Sequence, residues 1–328
     1  VKKTSFFKMT WFSWLLGLAL LILLAVVVTH LTEEHDFILL IEKARLEWLI
    51  ASFIFQVGTY LADARIWQQI LQNRQIYYPL KSCISFSIAK LFMDQAVPSG
   101  GVSGTLLIVG GLKKRNVPSE TTASTLVIAA ATYYIAYALA LLLGLVVLWG
   151  EGNLTYIILI PAGIFMIFIA SAMTFFFKMK RSKIASHFWS RIPFVKNLSH
   201  IFDSIKPEVI RNPLLLTQCT LLQLSIFILD SVTLWTCLKA LGINPSLFAV
   251  FASYMISSLA RTMGFMPAGL GTFEAASVAS LKMMKIPIAA ALSGTLLFRG
   301  LSFWLPMIPG LILAQRLAHQ KPTPEKLP

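Results

Sequence analysis

Charge is what this chain has least of. Only 13% of its 328 residues are charged, against 57% hydrophobic, whereas soluble domains carry about 25% charged residues. Residues 11–29, 121–150 and 152–177 hold no charged side chain. Runs of that kind match the ~20 residues a helix needs to cross a bilayer, and they exclude an ordinary soluble globular domain. The alternating pattern of barrel strands is missing as well. Cysteine is scarce: Cys83, Cys219 and Cys237 are too few and too scattered for a disulfide framework or a metal site. Each lies in or beside an apolar stretch and reads as a buried thiol. The histidines (His30, His35, His187, His200 and His319) fall in loops or at span ends, without metal-ligand spacing. A phosphate-cradling glycine loop with its lysine is missing, and so is a nucleophile elbow. These absences point away from an enzyme, and they imply no cofactor and no metal.

Acidic residues are half as common as basic ones, 14 against 28, for a formal net charge of +14. The basic residues do not form a patch interleaved with aromatics, as a nucleic-acid surface would. They cluster at span ends, the positive-inside bias of membrane proteins. The fold class that follows is an all-α polytopic membrane protein, with residues 1–328 forming a single transmembrane domain.

Two proline breaks interrupt the apolar pattern in matching contexts. The first is Ala96-Val97-Pro98-Ser99-Gly100-Gly101, the second Phe265-Met266-Pro267-Ala268-Gly269-Leu270-Gly271. Pro118 and Pro287 each lie 20 residues beyond a break and open a long apolar run, at a constant offset of 169 residues. The pattern reads as an internal duplication with an interrupted helix in each half, the best sequence pointer to a transport site.

Placed along the chain, the spans fall at about 10–29, 48–72, 119–149, 154–177, 213–241 and 288–316. The first run follows Lys2, Lys3 and Lys8 like a signal peptide. It lacks a small-x-small cleavage site and is expected to be retained. The arms 82–97 and 102–112 span roughly 24 and 17 Å at about 1.5 Å per residue, so neither crosses alone. A single broken crossing would carry Lys113-Lys114-Arg115 outside, against the positive-inside bias. A re-entrant hairpin entered from the cytoplasm is expected instead, and a second, with arms 246–265 and 272–285, entered from outside. Three spans separate the hairpins, so the two units, 48–149 and 213–316, are expected to form an inverted repeat, with about six spanning helices in all. Lys282 and Lys285 then fall outside, against the charge bias. The basic segment 178–212 belongs in the cytoplasm and suits a helix on anionic inner-leaflet lipids, or a simple connecting loop.

Asp63, Arg65, Lys90, Asp94, Asp230, Arg261, Glu274 and Arg299 lie inside the proposed membrane segments. Charges there face an interior or a wet path. In one reading, Lys90, Arg261 and Arg299 hold a lipid phosphate, while Glu274 or Asp230 couples proton movement. The glycines of the breaks (Gly100, Gly101, Gly269 and Gly271) bring backbone close, and the helix N-termini after Pro98 and Pro267 favour an anion. In the other reading, the charges are ion pairs that fix the hairpins: Lys90 with Asp94 locally, and Arg261 with Glu274 across the second hairpin.

The stretch Pro267-Ala268-Gly269-Leu270-Gly271-Thr272-Phe273-Glu274, with the earlier Pro98–Gly101 turn ahead of Lys113–Arg115, resembles the lysylphosphatidylglycerol synthase transmembrane-domain family. The resemblance extends over nearly the whole chain in length and span order. It implies a flippase-like integral membrane protein that handles a phospholipid or polyprenyl-phosphate lipid across the bilayer, and it nominates Glu274 and the Pro267–Gly271 turn. The sequence given ends 12 residues after Arg316, so no soluble aminoacyl-transfer domain is expected in it. The expected setting is a prokaryotic plasma (inner) membrane with both termini cytoplasmic. Two alternatives stand beside transport of an anionic phospholipid or polyprenyl-phosphate-linked lipid. One is a non-transporting partner of a glycosyltransferase or other lipid-modifying enzyme acting on lipid-linked sugars. The other is a small-solute or ion transporter.

Overall fold

The computed structural model describes residues 44–96, 102–115, 117–181, 212–263 and 269–319. It is all helical, with no strand among the described residues. The helices are α1 (Leu46–Gln72), α2 (Leu80–Ala96), α3 (Val102–Lys114), α4 (Ser119–Gly150), α5 (Tyr156–Arg181), α6 (Pro213–Ala240), α7 (Leu247–Met263), α8 (Thr272–Met283), α9 (Ile288–Arg299) and α10 (Leu305–His319). A π-helical turn, Gly300–Trp304, joins α9 to α10. The segments 10–29, 37–41 and 182–211 lie outside the described residues, and so do Pro98, Gly100, Gly101 and Pro267.

Four stretches are long and apolar enough to cross a membrane: Leu46–Gln72, Glu120–Gly150, Pro213–Ala240 and Ile288–Leu317. The chain is a polytopic helical membrane protein. The fourth expected span corresponds to α5, whose described apolar stretch is the shorter Tyr156–Ser171. Local chemistry sets the boundaries. Pro118 and Pro287 cap α4 and α9 in near-identical extended backbone (φ −53°, ψ 140° and φ −56°, ψ 140°), since a proline at a helix start forfeits no helical donor. The Asn212 side chain accepts from the Leu215 amide (3.2 Å), with Pro213 at the first helical position.

α1 and α6 form the largest helix pair. The Arg45 amide meets the Ala240 carbonyl at one end (2.8 Å), Gln56 meets Asp230 in the middle, and Gln69 approaches Cys219 at the other. The two helices therefore run antiparallel. Trp48 and Trp235 pack edge to face with their centroids 5.6 Å apart, and Lys239 lies over both rings.

The arms of each hairpin pack on each other, α2 on α3 and α7 on α8, so neither segment is one broken rod. Two further kinds of contact recur in both halves of the described chain. α1 packs on α2 as α6 does on α7, and α4 packs against α7 while α10 packs against α2. Each half's third span thus holds the other half's hairpin. An aromatic cluster of Tyr133, Tyr137, Phe165 and Phe227 fills the space between α4, α5 and α6.

Candidate functional site: a polar interior between two hairpins

The first hairpin is tied by its own acid. Lys90 and Asp94, one turn apart on α2, pair at 3.2 Å. The other Asp94 oxygen accepts from the Gly104 amide of α3 at 2.8 Å. The Ser103 hydroxyl donates to the Met93 carbonyl (2.7 Å). A Cβ on Gly104 would sit 2.5 Å from both Asp94 Oδ1 and the Lys90 carbonyl, so only glycine allows this approach. Asp63 of α1 accepts from the Ser87 hydroxyl of α2.

In the second hairpin the acid ties the second arm to the following span instead. Glu274, in the first turn of α8, accepts from the Gly271 amide (2.7 Å) with one oxygen and from Arg299 Nε (2.6 Å) with the other. Both side chains of this ion pair are about 95% buried, at 6% and 5% exposure. The Arg299 guanidinium lies over the rings of Phe273 and Phe303, 5.2 and 4.6 Å from their centroids. Gly269 and Gly271 both take positive φ, +66° and +82°. A Cβ on Gly269 would lie 2.2 Å from Arg261 Cγ, so the turn crosses directly over the Arg261 side chain.

The helix N-termini after the breaks do attract an anion, as the macrodipole requires. The anion is the protein's own: Asp94 at α3 and Glu274 at α8. The expected Arg261–Glu274 pair is replaced by Arg299–Glu274. Glu274 turns its carboxylate back to its own helix start, where α9 presents Arg299, while Arg261 lies under Gly269.

Arg261 is left without an ion pair among the described residues. It is half-buried and within electrostatic reach of Asp230, Tyr133, Tyr137 and Tyr254, and of Arg299. Asp230 accepts from the Tyr254 hydroxyl at 2.7 Å and from Gln56 at 3.4 Å, without a contacting cation among the described residues. Tyr133 of α4 stands within electrostatic reach of Arg261 and of Lys90 and Asp94. Arg65 lies apart from this cluster and bonds Gln68 on its own helix.

The halves echo each other here too. Asp63 accepts from Ser87, and Asp230 accepts from Tyr254, each across 24 residues from a span to the first arm of the following hairpin. Gln56, Tyr254 and the Tyr133–Tyr137 pair went unremarked in the sequence, although polar groups at helical spacing in apolar runs are a usable signal. No group of three or more potential metal ligands occurs among the described residues.

Antiparallel paired spans, two hairpins with an acid at the start of each second arm, and polar groups between them define a helical membrane protein built around an internal polar site. The chain belongs to the family described as the lysylphosphatidylglycerol synthase TM region, whose model matches residues 14–310. It is 23% identical to a UPF0104 membrane protein of Methanocaldococcus jannaschii over 282 residues, 81% of this chain and 83% of that one. It is 25% identical to phosphatidylglycerol lysyltransferases of Staphylococcus aureus, over 114 residues in strain MRSA252 and 123 in strain COL. Those matches cover 35% and 38% of this chain, but only 14% and 15% of the lysyltransferases.

Proposed function

We propose that this protein moves an anionic lipid, a phospholipid or a polyprenyl-phosphate-linked lipid, between the leaflets of a prokaryotic inner membrane. The observation that carries the reading is Arg261, a half-buried cation with no ion pair among the described residues, packed under the Gly269 turn and within electrostatic reach of three tyrosines and Asp230. A charge within a membrane segment is costly unless paired or solvated, and a headgroup phosphate would supply a partner. Lys90 of the first hairpin, like Arg261, is within electrostatic reach of Tyr133. Asp230, not engaged by a contacting cation among the described residues, is the coupling carboxylate. Arg299 and Glu274 engage each other and set the second hairpin's turn.

In this reading residues 48–149 and 213–316 are two units related by a two-fold axis in the membrane plane. The antiparallel α1–α6 pair and the doubled contacts support that relation. Both termini face the cytoplasm, the tails stay in the bilayer, and the headgroup crosses between the hairpins. The segment 178–212 rests on anionic inner-leaflet lipids.

The test is transport by the purified protein in liposomes carrying fluorescent phosphatidylglycerol. Wild type is expected to expose inner-leaflet lipid faster than protein-free vesicles. Arg261→Ala should lose roughly tenfold or more, the value of a hydrogen bond to a charged group. Wild-type vesicles no faster than empty ones would contradict the proposal.

A further inference from the structure

Where α1 and α6 meet in mid-span, a carboxylate sits among oxygen atoms whose protons are already spent. The Gln56 amide donates to Thr59 Oγ1 at 2.8 Å and to Asp230 Oδ1 at 3.4 Å. Thr59 gives its own proton to the Gln56 carbonyl (2.7 Å), so its oxygen can only accept from the amide, and this fixes which way the amide points. The Tyr254 hydroxyl donates to Asp230 Oδ2 at 2.7 Å. The Tyr60 hydroxyl, beside the Gln56 amide and within electrostatic reach of Asp230, donates to the Leu301 carbonyl at 2.8 Å.

Two side-chain oxygens here are sealed from solvent and find no hydrogen-bond partner: Gln56 Oε1 on α1, and Ser258 Oγ on α7, one turn beyond Tyr254. Their residues are 2% and 0% exposed. Natural interiors satisfy nearly all such atoms, so each orphan calls for an explanation. The chemistry of the group narrows the partner. Gln56 Oε1 only accepts, both tyrosine oxygens keep a lone pair, and Asp230 has no contacting cation among the described residues. A water would serve the amide oxygen and leave the carboxylate charge unanswered. A small cation serves both, since hard cations take carboxylate, amide and hydroxyl oxygens. One carboxylate balances one positive charge.

We propose that Asp230, Gln56, Tyr60 and Tyr254 bind one sodium ion stripped of its water, with Ser258 at the edge of the site. The orphan oxygens are sealed, which favours a small bare ion over a hydrated one. Such an ion neutralises the aspartate within the membrane segment and satisfies the amide oxygen in the same step. It also ties α1 and α6 to α7, the first arm of the second hairpin. Coupling ions of duplicated transporters lie near mid-bilayer at junctions of this kind. Use of the ion to couple lipid movement rests on the proposed function, whereas its binding does not.

The experiment is equilibrium binding of radioactive sodium to the purified full chain in nonionic detergent, with choline holding the ionic strength constant. Wild type is expected to bind one sodium per chain, saturably. Asp230→Asn keeps the shape, removes the charge and should abolish binding. Gln56→Met keeps the length, removes the oxygen and should weaken binding about tenfold. Thermal unfolding of each protein in sodium against choline is the second readout. Sodium should raise the unfolding temperature of wild type and leave that of Asp230→Asn unmoved, so a variant of lower overall stability still reports. No saturable sodium binding by wild type, as a water-filled cluster would give, overturns the site. Binding indifferent to both substitutions overturns it too. Arg261→Ala should keep sodium binding while losing lipid, so the failure of either reading leaves the other standing.

Discussion

Arg299 and Glu274 carry the sharpest energetic consequence of any single residues here. Their ion pair is almost wholly buried, with Nε and Oε1 2.6 Å apart. Removing one partner strands the other's charge, which costs about 3–5 kcal/mol, whereas replacing both with apolar side chains is often close to neutral. Glu274→Gln is therefore expected to lower the thermal unfolding temperature of the detergent-solubilised protein sharply. Glu274→Met combined with Arg299→Met should recover most of the loss. A single substitution without effect on unfolding would refute the structural role given to this pair. The charges themselves were legible in the sequence, because ionisable residues stand out in apolar runs. Their pairing was not. Arg261 and Glu274 flank the same turn in sequence, but the backbone at Gly269 and Gly271 decides which arginine the carboxylate meets.

Each hairpin depends on close approach between its arms. Gly104 is the clearest case, since a methyl group there meets Asp94 Oδ1 and the Lys90 carbonyl at 2.5 Å. Gly104→Ala must push α3 off α2 and break the bond from the Gly104 amide to Asp94. Overpacking of this kind costs about 1–3 kcal/mol. Gly110, six residues along α3, has open space where its Cβ would be. Gly110→Ala is the matched control, and comparison of the two unfolding temperatures in detergent is the measurement. An equal response from both variants would show that the arms are not in tight contact at Gly104. The elements were largely readable beforehand. The proline starts at 118 and 287, and the loss of apolar character between spans, placed most helix ends close to those observed. The π-helical turn was not readable, because a shift of one residue in hydrogen-bond register leaves the apolar pattern of Ile288–Leu317 unbroken. Its carbonyls bond Tyr60 and Gln95, partners 241 and 207 residues away, and no local pattern encodes such distances.

At the scale of the whole molecule the proposed duplication is the organising idea. The offset of 169 residues between the proline breaks, the antiparallel α1–α6 pair and the two 24-residue aspartate bonds tell the same story at three levels. The two hairpins differ in how their cations are paired. The first hairpin's lysine is neutralised by Asp94. The second hairpin's Arg261 has no such partner among the described residues, because the acid nearest in sequence is taken by Arg299. That asymmetry is what a bound anion would complete, and it is the centre of the functional account. The measurement that tests it most directly is native mass spectrometry of the gently purified wild-type protein beside Arg261→Ala, with the retained lipid identified. The account predicts one anionic phospholipid or polyprenyl phosphate held in stoichiometric amount by wild type and lost from the variant. A bulk lipid mixture, or a retained lipid indifferent to the substitution, would contradict it.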